Sequence, residues 1–151
     1  MITIISVGKL KEKYLIDGIN EYLKRLSKYT KVELIEVEDV SFDKEKTLKE
    51  EARNIQKRLN LKSYIITLEI DGRELTSLEL SDLINKTSIN NSDITFIIGG
   101  SYGLDDSIKQ LSNYKLSFSK LTFPHQLFRL MLLEQIYRSY KIINNETYHK
   151  W

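Results

Sequence analysis

The chain has 151 residues, which fits one domain able to bury a core of its own. Apolar residues make up 41% and charged residues 29%, an ordinary globular balance that argues against a disordered chain. The absence of cysteine excludes disulfides, thiolate metal sites and thiol catalysis, and a net charge of +2 is too weak to announce a nucleic-acid binder by itself.

The opening MITIISV is too short for a secretory signal, and its charges follow it rather than precede it, so a cytoplasmic protein is expected. Apolar runs are only a few residues long, and no membrane span is expected. Ile2 to Val7 reads as a buried strand ended by Gly8. Tyr14, Leu15, Ile19, Tyr22, Leu23 and Leu26 then recur at helical spacing, with Gly18 tolerated inside the helix at some cost. KVELIEVEDV reads as a second strand. Asp43 to Asn60 is highly charged, yet Leu48, Ala52, Ile55 and Leu59 share one helical face, the pattern of an amphipathic surface helix.

SYIITLEI is a third strand, expected to stop at the turn signal Asp71-Gly72. Thr76 followed three residues later by Glu79 predicts a capping box and a helix start. DITFIIGG is a fourth strand with a Gly-Gly stop. LDDSIKQLSNY is a short helix with acidic residues at its positive end, and YKLSF a short fifth strand. The single proline, Pro124, is expected in the first turn of a long helix, where its missing N–H costs nothing. From Leu127 to Tyr140 apolar residues point nearly all round that helix. Such a helix is buried, and in so small a domain part of its cover is expected from a second subunit. Strands alternating with helices predict an α/β fold with a mostly parallel sheet, as one domain over residues 1–151.

In an open α/β sheet, ligands bind beyond the carboxyl ends of the strands. Three ends stand out: Leu68 to Gly72, Gly99 to Gly103 and Ser117 to Pro124. GGSYG is neither a dinucleotide fingerprint nor a P-loop. Its paired glycines form a tight turn or let a flat ligand lie against bare backbone. The only histidines, His125 and His149, are not at metal-ligand spacing, and no metal site is expected. Glu134 and Arg138 are placed for an i, i+4 ion pair, while His125 and Arg129 lie on another face with partners that are either protein or ligand.

The stretches SVGKLKEKY, IIGGSYGL, LSFSKLTFPHQLFR with EQIYR, and the closing YHK together resemble the bacterial ribosomal large-subunit pseudouridine methyltransferases of the SPOUT superfamily, along essentially the whole chain. The resemblance implies a SPOUT-type sheet with helices on both faces and a C-terminal trefoil knot, working as a homodimer. It implies S-adenosyl-L-methionine as methyl donor and, as substrate, N3 of a pseudouridine in helix 69 of 23S rRNA within the assembled ribosome. On that pattern the cofactor residues are Leu68, Gly100, Ser119, Lys120, Leu121, Thr122, Phe123 and Pro124.

The tail Tyr148-His149-Lys150 is the expected catalytic element. A histidine titrates near neutrality, as a base that removes the N3 proton must, unless a neighbouring group stabilises the N3 anion instead. A lysine favours an anionic base edge and contacts phosphate, and Tyr148 is placed to stack on a base. In a dimer, one subunit's tail is positioned to complete the other's site. His125, Arg129, Glu134 and Arg138 are expected to contact RNA or hold the tail. Lys150 stands where the family often has arginine and lacks the planar fork. Trp151 extends beyond the pattern, to stack on a base or cover the interface. Two rivals remain: a noncatalytic ribosome-binding dimer with the same fold, and a flavodoxin-like domain, against which the basic loop GKLKEKY speaks.

Overall fold

A computed structural model describes residues 1–150, so the expectations for Trp151 lie outside the described residues. Strands and helices alternate strictly: β1 (Ile2–Val7), α1 (Lys13–Leu26), β2 (Val32–Val37), α2 (Lys44–Arg58), β3 (Tyr64–Glu74), α3 (Ser77–Asn90), β4 (Ile94–Ile98), α4 (Asp106–Lys109), β5 (Tyr114–Ser117) and α5 (His125–Ile143). The strands form one sheet in the order β2-β1-β4-β3-β5, with every neighbouring pair parallel.

A parallel sheet covered on both faces needs apolar residues at every position, and this is what the central strands carry. All residues of β1 and β4 are buried. Side chains alternate across them, so Ile2, Ile4, Phe96 and Ile98 pack with α1, α3 and α5, while Ile5, Val7 and Ile97 pack with α2 and α4. No helix among the described residues is long and apolar enough to cross a membrane.

Local signals set the helix starts. Thr76 and Glu79 form the reciprocal capping box, with bonds of 2.9 and 3.1 Å. Asp43 and Asp105 cap α2 and α4 through their side chains. Pro124 sits one position before its expected place. It is the N-cap of α5, extended at φ −57° and ψ 135°, and its carbonyl accepts the first helical bond from Phe128 at 2.9 Å.

The third strand departs from the sequence expectation. Asp71-Gly72 does not end β3, which runs on to Glu74. Leu116 of β5 is registered against both Leu68 and Arg73, so residues 69–72 form an excursion between two stretches of pairing. Gly72 serves close approach rather than a chain stop: a Cβ there would lie 2.8 Å from both the Lys115 oxygen and the Leu116 carbonyl carbon. Backbone cannot yield as a flexible side chain does. Gly72→Ala is expected to destabilise the fold by about 1–3 kcal/mol, an overpacking penalty measurable by urea denaturation. A midpoint unchanged from the parent protein would show that β5 can withdraw freely.

Candidate active site

The excursion of β3, the loop after β4 and the loop after β5 converge on one cleft of about 490 Å³. It lies at the carboxyl edge of the sheet, beside the start of α5. Leu68, Phe118, Leu121 and Phe123 give it apolar walls, and Phe128 backs them, its ring 4.8 Å from that of Phe118. Glu69 and Asp71 bring carboxylates from the β3 excursion; Lys44 and Lys109 bring ammonium groups. Thr67 Oγ1 donates to Glu69 Oε2 at 2.6 Å, which orients that carboxylate.

Of the expected cofactor residues, Leu68, Gly100, Ser119, Leu121, Thr122 and Phe123 line this cleft, while Lys120 and Pro124 flank it in sequence without lining it. Ser119 shapes its own loop: its carbonyl accepts from Ser117 Oγ at 3.1 Å and its hydroxyl accepts from the Leu121 N–H at 3.0 Å. Glu69 and Tyr102 lie within two of the singled-out loops but were given no role, and the sequence reading missed Lys109 and Phe128 as cleft residues. None of the four carries a motif of its own.

The paired glycines make a tight turn, closed by Gly103 N–H to the Gly100 carbonyl at 3.0 Å. Their missing side chains do not face a ligand. A Cβ on Gly99 would collide with the Gly103 carbonyl oxygen, and one on Gly100 would meet Glu51 Oε1 at 3.0 Å and Val7 at 3.1 Å. The protein itself fills the space, while the backbone of both residues lines the cleft.

The four charged or titratable residues expected to meet RNA divide into two sites. Arg129 is 4% exposed and turned inward. Its Nη2 donates to the carbonyls of Val7 and Gly8 at 2.9 and 2.7 Å, and its Nη1 to Glu36 at 2.8 Å. Those groups occupy its terminal donors and tie the start of α5 to the ends of β1 and β2. His125, half-buried at the cleft, is held below its ordinary pKa by burial and by the neighbouring Arg129 charge.

Glu134 and Arg138 sit farther along α5 with the tail. Arg138 donates to Glu134 through Nε and Nη2, at 3.2 and 2.9 Å. The Tyr148 hydroxyl donates to Glu134 Oε2 at 2.7 Å, and its ring packs edge-on against Tyr137. Burial first, then this carboxylate, pushes the phenol well above its usual range. Arg138 Nη1 lies 3.0 Å from His149 Nδ1. Arginine only donates, so Nδ1 accepts and the imidazole proton sits on Nε2. Lys150 is exposed. None of Glu134, Arg138, Tyr148, His149 and Lys150 lines the cleft, although Glu134 borders a second hollow that shares Leu116, Ser117 and Phe118 with it; His125 and Arg138 stand roughly 20 Å apart along the helix.

A family model described as "Predicted SPOUT methyltransferase" matches residues 1–149. The chain belongs to the SPOUT methyltransferase family. A relative from Methanococcus maripaludis is 59% identical over 99% of each chain. The ribosomal RNA large subunit methyltransferase H of Clostridium tetani is 54% identical over the same share. Among solved structures, the tRNA (m1G37) methyltransferase of Aquifex aeolicus is similar in fold, with a TM-score of 0.54 and 17% identity over 91% of this chain and 69% of that one. A probable methylase family protein of Haemophilus influenzae has a TM-score of 0.57 and 14% identity, covering 99% of this chain and 70% of that one.

In this SPOUT methyltransferase the cleft lies at the carboxyl edge of the sheet, and Arg129 braces the ends of β1 and β2 beside it. No group of three or more His, Cys, Asp or Glu side chains suited to a metal occurs among the described residues. Arg129→Ala leaves buried carbonyls and Glu36 without their donor. It is expected to cost about 3 kcal/mol in thermal or chemical denaturation. A loss below a few tenths would mean that water replaces the guanidinium at no cost.

Proposed function

We propose that the protein transfers a methyl group from S-adenosyl-L-methionine to N3 of a pseudouridine in helix 69 of 23S rRNA, within the assembled ribosome in the cytoplasm. The names of its close relatives supply the rRNA large-subunit class. The observation that carries the reading is the three-loop cleft, whose apolar walls, acidic residues and about 490 Å³ suit a flat nucleoside bearing a positive charge. Leu68, Gly100, Ser119, Leu121, Thr122 and Phe123 would hold it, with Lys120 and Pro124 fixing the course of their loop. The cofactor supplies an activated methyl. The protein's task is to place N3 and to deal with its proton. The expected C-terminal trefoil knot belongs to this same reading.

The distance between cleft and tail supports a homodimer. Every residue of α5 is at least partly covered within one protomer, and half-covered Leu127, Leu130 and Met131 leave apolar surface for a copy. Pairing about a two-fold axis perpendicular to α5 sets the helix antiparallel to itself. The His149 end of one protomer then faces the His125 end of the other, and the site is composite. There His149 offers Nε2–H, suited to stabilising the N3 anion as it forms, while release of the Arg138 contact would free a nitrogen to act as base. Glu134 and Arg138 hold the tail, and Tyr148 is a positioning residue whose hydroxyl is already engaged. Lys150 is free to meet phosphate or the anionic base edge. Arg129 acts through the cleft wall, and His125 stands where RNA enters.

In vitro methylation of ribosomes lacking the modification, with mapping of the product base, tests the reading directly. His149→Ala is expected to lower the rate by about two orders of magnitude or more with unchanged cofactor-induced thermal stabilisation. Full activity would remove His149 from the mechanism. No stabilisation of the parent protein by S-adenosylmethionine or its demethylated product would favour the noncatalytic ribosome-binding dimer. Mixing inactive His149→Ala with inactive Leu121→Lys, which puts an ammonium in the cleft, is expected to restore roughly a quarter of parental activity through mixed dimers. No recovery after subunit exchange would place tail and cleft in the same protomer.

A further inference from the structure

Glu51 lies in the middle of α2 and is 4% exposed, deeper than any other carboxylate among the described residues. Its Oε1 has no hydrogen-bond partner. An unpaired buried carboxyl is costly, and structures tolerate one where it has work to do. Burial pushes it above the usual carboxylate range; the Val40 backbone opposes this and the Asp39 charge reinforces it.

The carboxyl abuts Gly100. A Cβ on that residue would lie 3.0 Å from Oε1 and 3.3 Å from Oε2, while the backbone of Gly100 lines the cleft and Glu51 does not. One thickness of main chain therefore separates the carboxyl from the ligand volume. The surrounding charges leave it unneutralised. Arg129 of α5 spends its Nη groups on Glu36 of β2 and on the Val7 and Gly8 carbonyls, while its buried Nε makes no hydrogen bond. Asp39, after β2, is a like charge. The end of β1 brings Val7 to this corner, and the turn after β4 brings Gly100. Lys44 of α2, Lys109 of α4 and His125 of α5 line the cleft beyond the glycine turn.

We propose that Glu51 is the internal counter-charge of the cleft: its carboxyl gives its proton to solvent when a sulfonium ligand lies across the Gly100 backbone, and keeps it when the ligand carries a neutral thioether. The cleft then prefers the charged methyl donor over its demethylated product, which eases product exchange. This rests on the cofactor reading above.

Calorimetric titrations with S-adenosylmethionine and S-adenosylhomocysteine, in buffers of different ionisation enthalpy between about pH 5 and 8, count the protons exchanged. Both ligands carry the same amino and carboxylate groups, so the difference between them reports the sulfonium. The parent protein is expected to release more protons with S-adenosylmethionine. In Glu51→Gln that difference vanishes, and the affinity ratio of the two ligands falls about tenfold, the scale of a Coulomb interaction across one residue of protein. His125→Asn keeps the difference, which separates Glu51 from the histidine at the cleft. Should Glu51→Gln not fold, Glu51→Asp carries the test: a carboxyl drawn back from Gly100 lowers the difference, and an unchanged value overturns the inference. An undiminished difference in a folded Glu51→Gln overturns it while leaving the cofactor reading intact. Binding of neither ligand by the parent protein overturns both.

Discussion

The site depends on how β5 lies against β3. Leu116 meets β3 at Leu68 and again at Arg73, so the chain between them must leave the sheet and return. That excursion carries Glu69 and Asp71 to the cleft and sets Leu68 at its floor. It closes only because Gly72 lets two backbones approach within a distance that any side chain would prevent. A local steric allowance thereby fixes one wall of the cleft and the position of the β5 exit that forms the opposite wall.

Arg129 ties this edge to the rest of the sheet. The buried guanidinium binds carbonyls at the end of β1 and the carboxylate of Glu36 on β2, while its own helix carries the cleft at one end and the tail cluster at the other. A buried ion pair is weak support for stability by itself. Here its value is geometric, since it fixes where α5 starts relative to the strand ends. With the helix so fixed, the tail's separation from the cleft becomes a constraint on function. The proposed composite site rests on this division of cleft and tail along one helix.

The charges follow the same separation. Around the cleft, Glu69 and Asp71 face Lys44 and Lys109, and Glu51 lies one backbone layer behind. Farther along α5, Arg138 is bound to Glu134 and presented to His149. A cationic donor suits the first region and an anionic base edge or phosphate suits the second.

Much of this was legible along the chain. Apolar β-branched runs marked the buried strands, Thr76 and Glu79 announced their capping box, and the three loops chosen from strand ends do meet at one cleft. These features are local: each depends on a few consecutive residues and their backbone preferences. The misreadings arose where a residue's purpose lies in a distant segment. Asp71-Gly72 looked like a stop because the approach of β5, more than forty positions later, is invisible in the local pattern. Whether the bare backbone of Gly100 adjoined ligand or protein, and whether Arg129 found its partners in RNA or in the chain, stayed open because Glu51, Val7, Gly8 and Glu36 lie in distant segments. The sequence by itself determined the elements, their alternation and the sheet edge at which the cleft opens, through short-range periodicity and capping. Only the tertiary structure decided which polar groups face the cleft and which are spent inside the protein, because burial and pairing are set by segments that meet in space and not in sequence.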